Sequence, residues 1–357
     1  MKKIISTLLS LTLASSLAFG LVACGGDGNK DDGKVTAEQW AAALNKSNFA
    51  SFQVKQVSTR SGKYTLEDET TKVDYVQTET TMYTIAGDKQ YSKAEMTASG
   101  DKAFVDEFNK MAAKYGTTEE QYGLKVDDEI FIRYRKKEDT WKFDVIDFAL
   151  FDFEMINTFA TMYDSFEYNS EQKGYTIKED DPMAKEIAGT VLKFKNSKLV
   201  GAFNDNSYTD EETGETTKYT TSFTLTYGSY SVNLPATTSD FAGTWETYQF
   251  EAMGATLGVG NTIPEGAFGE GSPAMEIKAD SVTVTMNNDG TASYKFWDGT
   301  GKGAYEYNND YISFYSNDLE EDYDTNRLSM DYEDEHLTFE INYKGVDVTV
   351  TLVKKAA

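Results

Sequence analysis

The sequence predicts an α+β domain followed by an all-β barrel of about eight strands. Three observations predict it. Alternating apolar and polar runs, rich in Tyr, Phe and Thr, recur along most of the chain beyond residue 50. Apolar residues at helical spacing occur only in the first half. The segment 234–240, short and polar around Pro235, separates the part with helices from the part without.

Thr36-Ala37-Glu38-Gln39 reads as a capping box opening a short helix through Leu44, with Trp40, Ala43 and Leu44 on its buried face. Phe52 and Val54 alternate with Gln53 and Lys55, which starts a strand. Strands follow over 73–85 and 90–96, separated by the turn Ala86-Gly87-Asp88. Asp101 to Tyr115 is the clearest helix: Phe104, Phe108, Met111, Ala112 and Tyr115 share one face, and Gly116 suits the C′ position. Strands return over 125–135 and 141–145. Asp147 to Phe166 predicts a second long helix, with a stripe through Phe148, Phe151, Met155, Phe159, Met162 and Phe166. A parallel stripe runs through Ala149, Phe153, Ile156, Ala160 and Tyr163. So wide an apolar face predicts a deeply buried core helix, with the lining of an apolar cavity by part of that face as the sharper alternative. Five antiparallel strands between 167 and 230 then close this domain, joined by turns such as Asn196-Ser197 and Thr213-Gly214.

Beyond the linker, the strand opening at Phe241-Ala242-Gly243-Thr244-Trp245 is followed by a glycine-rich insertion, 254–273. Met275 to Met286 predicts a strand with Val282, Val284 and Met286 inward. Asn288-Asp289-Gly290-Thr291 is a strong hairpin turn. Further strands cover 292–297, 303–307, 311–315, 328–332, 337–343 and 346–353, the last two joined at Lys344-Gly345.

The N-terminus carries a different message. Lys2 and Lys3 precede an apolar run, Ile4 to Phe19, which is too short for a membrane span and has the form of a secretory signal. It ends at Leu21-Val22-Ala23-Cys24, which resembles the lipobox of bacterial lipoproteins. That resemblance implies lipid attachment at Cys24 through its sulfur, cleavage before it, and residence on the extracytoplasmic face of the cell membrane. Residues 25–34 have no apolar side chain and read as a flexible tether. The expected organisation is therefore signal 1–23, tether 24–34, α+β domain 35–234, linker 235–240 and barrel 241–357.

Two further resemblances follow. The element order over residues 35–234 resembles the LolA/LppX-like lipoproteins, which implies a curved antiparallel sheet covered by helices. Gly243-Thr244-Trp245 on the first barrel strand resembles the lipocalin (calycin) signature. There the tryptophan closes one end of the barrel against a basic residue after the last strand. Lys354 and Lys355 stand in that place, where the family usually has arginine. The resemblance also implies that the 254–273 loop overhangs the barrel mouth as a lid.

Composition narrows the function. The net charge is −25, and removing the signal leaves 32 basic against 59 acidic residues, about −27. So acidic a chain excludes nucleic acid as a partner, because counterion release needs a basic surface. Cys24 is the only cysteine, so no internal disulfide forms. His336, the only histidine, sits in an acidic turn, and zinc sites of the usual kinds lack donors. Asp322, Asp324, Asn326 and Glu333 have calcium-loop spacing, but Arg327 stands where such a loop needs glycine. They read as a solvated hairpin tip. Tyr305, Tyr307, Tyr311, Phe314 and Tyr315 offer rings for a sugar platform or, more simply, alternate faces of two barrel strands. No nucleophile elbow and no cofactor motif is present. The sequence thus predicts a non-enzymatic cell-surface lipoprotein binding an apolar or amphiphilic small ligand, with a surface module for protein or glycan as the alternative.

Overall fold

The computed structural model describes residues 33–67, 70–151, 154–184, 187, 189–210, 214–268, 270–297, 299–308, 311–319 and 326–356. The signal, Cys24 and nearly all of the tether lie outside these residues. The chain divides into two compact units, Met1–Glu120 with Phe151–Val232, and Gln121–Leu150 with Asn233–Ala357. Among the described residues no helix is long and apolar enough to cross a membrane.

The first unit opens with helix α1 (Ala37–Ala43). The Thr36 and Gln39 side chains satisfy each other's backbone N–H groups, the reciprocal cap predicted from sequence. Long antiparallel strands follow: β1 (Ser51–Thr65), β2 (Lys72–Ala86) and β3 (Lys89–Gly100). Helix α2 (Lys102–Tyr115) is capped by Asp101, which accepts from the Ala103 N–H, and is stopped by Gly116 at φ 81°. Next come β4 (Thr118–Lys125), β5 (Phe131–Lys137) and β6 (Thr140–Ile146), which from Gln121 on belong to the second unit, and then helix α3 (Glu154–Phe159), again in the first. Strands β7 (Phe166–Asn169), β8 (Gly174–Ile177), β9 (Val191–Lys195), β10 (Lys198–Thr209) and β11 (Thr216–Tyr227) complete the set. The eleven strands form one large curved sheet in the order β6-β5-β4-β3-β2-β1-β11-β10-β9-β8-β7.

The expected helix from Asp147 to Phe166 is corrected. Among its described residues only Glu154–Phe159 is α-helical, followed by a 3₁₀ turn at Tyr163–Ser165. Part of its apolar stripes is nevertheless buried: Phe151, Ile156, Phe159 and Phe166 enter the core, while Phe148 is exposed. The stripes recorded burial rather than backbone conformation, and Asn157, Thr158, Thr161 and Asp164 are weak helix formers.

At the centre of that core is Trp40, with no exposed surface. Its indole N–H donates to the Phe159 carbonyl at 2.7 Å. Tyr163, Phe166, Tyr175 and Phe194 surround it at centroid distances of 5.1–5.7 Å.

The second unit holds, besides residues 121–150, a barrel. Strands β12 (Gly243–Ala252), β13 (Ala255–Gly258), β14 (Thr262–Ile263), β15 (Met275–Glu276) and β16 (Val282–Met286) are followed by β17 (Thr291–Phe296) and β18 (Gly299–Asn308). Then come β19 (Tyr311–Tyr315), β20 (Arg327–Glu333), β21 (His336–Tyr343) and β22 (Val346–Lys354). The β12–β22 pairing closes eight of them into a ring, with β13 hanging from β12. The single strand expected over 275–286 is broken by a turn in which the Ser281 N–H bonds the Lys278 carbonyl at 3.0 Å.

The barrel interior is occupied. Phe250, Val284, Met286, Phe314, Met330, Phe339 and Val350 belong to one cluster contributed by its strands. The 254–273 segment, expected as a lid, sends Ile263 and Phe268 into the same cluster, and Phe268 meets Tyr343 edge-on at 4.9 Å. At the other end Trp245 donates to the Phe241 carbonyl at 2.9 Å. Lys354 lies 5.8 Å from the Trp245 ring and bonds the Asp240 carbonyl at 2.9 Å.

Residues 121–150 pack against this barrel. Tyr134 and Ile132 on β5 share an apolar cluster with Ala304, and Leu234 and Tyr315 pack beside it. Phe143 meets Tyr305 edge-on at 5.3 Å. The Tyr134 hydroxyl donates to the Asp289 carbonyl at 2.7 Å, and the Val145 N–H donates to Glu306 at 3.1 Å.

Candidate functional site

Strand register builds one unusual surface in the first unit. On the face carrying Phe52 and Val54, the rows read Phe52–Ile85, Val54–Tyr83, Gln56–Thr81, Ser58–Glu79 and Arg60–Gln77 across β1 and β2. On β11 the same rows continue as Tyr227, Leu225, Phe223, Thr221 and Tyr219. On β10, Asn204 stands opposite Thr221. Toward Phe52 the rows are apolar and join the Trp40 core. At the Gln56 and Ser58 rows they turn polar on neighbouring strands together.

These polar side chains are buried. Gln56 is 6 % exposed, Thr81 3 %, Thr221 7 %, and Asn204 9 % with its neighbour Thr190 at 1 %. With Ser92, opposite Tyr83, they are the buried polar side chains of the first unit among the described residues. Some of their hydrogen-bonding capacity is used internally: the Gln56 amide donates to Ser58 Oγ at 3.1 Å and the Asn204 amide to Thr190 Oγ1 at 3.1 Å. A buried polar group costs free energy where its hydrogen-bonding capacity is unmet, whereas apolar residues here would simply extend the core. The strip therefore interrupts the apolar core with groups that need partners.

Two charged residues lie on it. The Glu79 carboxylate accepts from the Thr81 hydroxyl at 3.0 Å. Burial raises its pKa above the ordinary carboxyl range against the lowering effect of that hydrogen bond, and the Glu119 charge raises it further. Burial also pushes the neighbouring Tyr83 hydroxyl up, with the Glu79 charge adding to it. One row on, the Arg60 guanidinium lies 5.9 Å from the Tyr75 ring and 5.5 Å from the Tyr219 ring. Its Nε is buried without a hydrogen-bond acceptor among the described residues.

Other residues singled out from the sequence are placed elsewhere. Cys24 lies outside the described residues, as do Asp322 and Asp324. Among the described residues no group of three or more His, Cys, Asp or Glu could hold a metal ion. His336 sits in the β20–β21 turn, its Nδ1 2.7 Å from the Asp334 carbonyl and its ring 5.0 Å from that of Tyr248. Tyr305 and Phe314 face each other inside the barrel. On the other face of their strands, Tyr311 and Tyr315 flank Arg327, whose guanidinium donates to Ser313 Oγ. The five rings thus form no single platform. The polar strip was missed in the sequence, where Gln56, Ser58 and Thr221 read as ordinary strand residues. The signal was there: apolar alternation stops at Val54 on one strand, and the alternations ending at Tyr83 and Phe223 stop nearby.

No family model matches the chain, and no curated protein matches it. Among solved structures it is similar to two forms of the vaccine antigen Transferrin Binding Protein B from Haemophilus parasuis Hp5. A double mutant aligns at 10 % identity over 85 % of this chain and 75 % of that one, with a TM-score of 0.17. A single mutant aligns at 10 % identity over 85 % and 77 %, with a TM-score of 0.15. At these scores, fold and function rest on the geometry of this chain alone.

Proposed function

We propose that this chain is a non-enzymatic surface lipoprotein, held to the extracytoplasmic face of the membrane through Cys24, that binds a small polar or amphiphilic ligand at the strip around Gln56, Ser58 and Thr221. The observation that carries this reading is that, among the described residues, four of the first unit's six buried polar side chains, Gln56, Thr81, Thr221 and Asn204, lie together on one sheet face. A purely apolar ligand fits this strip poorly, and the barrel interior is already filled by its own side chains. The Trp245–Lys354 contact supports a lipocalin-like label for the barrel, here in a structural role. The α1 and α3 residues packed over the apolar rows support a LolA/LppX-like label for the first unit.

A second reading, a module for a protein or glycan partner, draws on the Trp245 end of the barrel. There the exposed Tyr307 and Tyr332 flank Phe241 at centroid distances of 4.7 and 5.0 Å. Native mass spectrometry of the chain from residue 24, with Cys24→Ser, separates the two. A bound mass that leaves on mild unfolding and is absent from Thr221→Leu supports the strip. A clean apo mass, with envelope material captured by wild type and not by a Tyr307→Ala/Tyr332→Ala variant, supports the second reading.

A further inference from the structure

We propose that the strip takes a small zwitterion of the amino-acid class, its carboxylate on Arg60 and its ammonium group on Glu79; this rests on the strip being a binding site. Arg60 pairs in register with Gln77, and Ser58 with Glu79, so Arg60 and Glu79 are diagonal neighbours on one face. Diagonal neighbours lie about 7–8 Å apart, within reach of two long side chains. Yet among the described residues neither has an ion-pair partner. Arg60 turns to the Tyr75 and Tyr219 rings, while Glu79 turns to Thr81. Two opposite charges held apart in partly dry surroundings forgo the attraction that would offset their desolvation. A ligand carrying both charges completes each of them. The guanidinium edge suits a carboxylate, with the buried Nε as an unused donor.

Overall charge selects among ligand classes. At a net −25 the chain repels a simple anion, while a simple cation leaves Arg60 unmatched. A zwitterion has no net charge and meets both groups. Ser58, Gln77 and Thr221 between and beside them supply neutral hydrogen-bonding groups.

The test is calorimetric titration of the full mature chain (Cys24→Ser) with the common amino acids, their carboxamides and their N-acetyl derivatives. At least one amino acid should bind, and blocking either end should weaken it by at least about thirtyfold, the usual consequence of leaving one buried charge unmatched. Arg60→Gln should abolish the preference for the acid over the carboxamide, and Glu79→Gln the preference for the free amine over the N-acetyl form. Arg60→Lys, which keeps the charge, should retain the acid preference at lower affinity and guards against misfolding of the Gln variant. If native mass spectrometry finds a bound mass at the strip and no amino acid binds, the zwitterion is wrong while the strip stands. If neither is seen, both fail. Equal binding of the blocked derivatives would also overturn the proposal.

Discussion

At the residue scale, Glu79 gives a pH dependence whose sign follows from its burial. Its raised pKa means that ionisation is harder in the folded than in the unfolded chain. The ionised carboxylate therefore destabilises the fold above its folded pKa, and this penalty fades as pH falls toward the unfolded value. Glu79→Gln should be more stable than wild type near pH 7, with the difference closing by about pH 4. Urea midpoints at the two pH values decide it, and a constant difference would contradict the burial argument. Trp40 makes a simpler case. Its removal by Trp40→Ala deletes a fully buried side chain and orphans the Phe159 carbonyl, at a cost of about 3–5 kcal/mol in urea unfolding. Gly290 carries two constraints together: φ is +83°, and an added Cβ would lie 2.8 Å from Phe143 Cδ2 and 3.2 Å from Ile132 Cγ2. Gly290→Ala should cost about 1–3 kcal/mol in the same assay.

At the scale of elements, the segment 121–150 is the informative one. It packs on the barrel through Tyr134, Phe143 and Val145 although the chain between it and the barrel belongs to the other unit. A protease cut within 235–240 should therefore leave the two fragments together on gel filtration, and Tyr134→Ala with Phe143→Ala should let them separate. The sequence made single elements legible where local chemistry decides them. The Thr36 capping box, the Asp101 cap, the Asn288–Gly290 turn and the inward Val282, Val284 and Met286 all read directly. It failed where tertiary placement decides: the Asp147 to Phe166 stripes marked burial without a continuous helix, and nothing local assigns 121–150 to the barrel. The strip is intermediate, because it becomes visible only when strands are laid in register.

At the scale of the molecule, each unit has its own core, one around Trp40 and one inside the barrel. Trp40 is the first unit's tryptophan, while Trp141, Trp245 and Trp297 fall in the second. Truncation after Tyr343 removes β22 and with it the closure of the ring. Such a chain, with Trp141, Trp245 and Trp297 changed to Phe, should still show a cooperative Trp40 fluorescence transition in urea while its barrel strands fail to form. Loss of the Trp40 transition as well would mean that the first core depends on the barrel.

The ring closure by β22 has a temporal consequence. A chain made from its N-terminus produces 121–150 early and the barrel surface it covers late, and that surface is finished only when the final strand has been delivered. Until then Ile132, Tyr134 and Phe143 have only their neighbours within 121–150 to rest against, without Ala304 and the barrel strands. Their apolar side chains are presented to the cell's folding machinery for the whole interval. The newborn protein should accordingly depend most on holding chaperones while the last third of the chain is being completed.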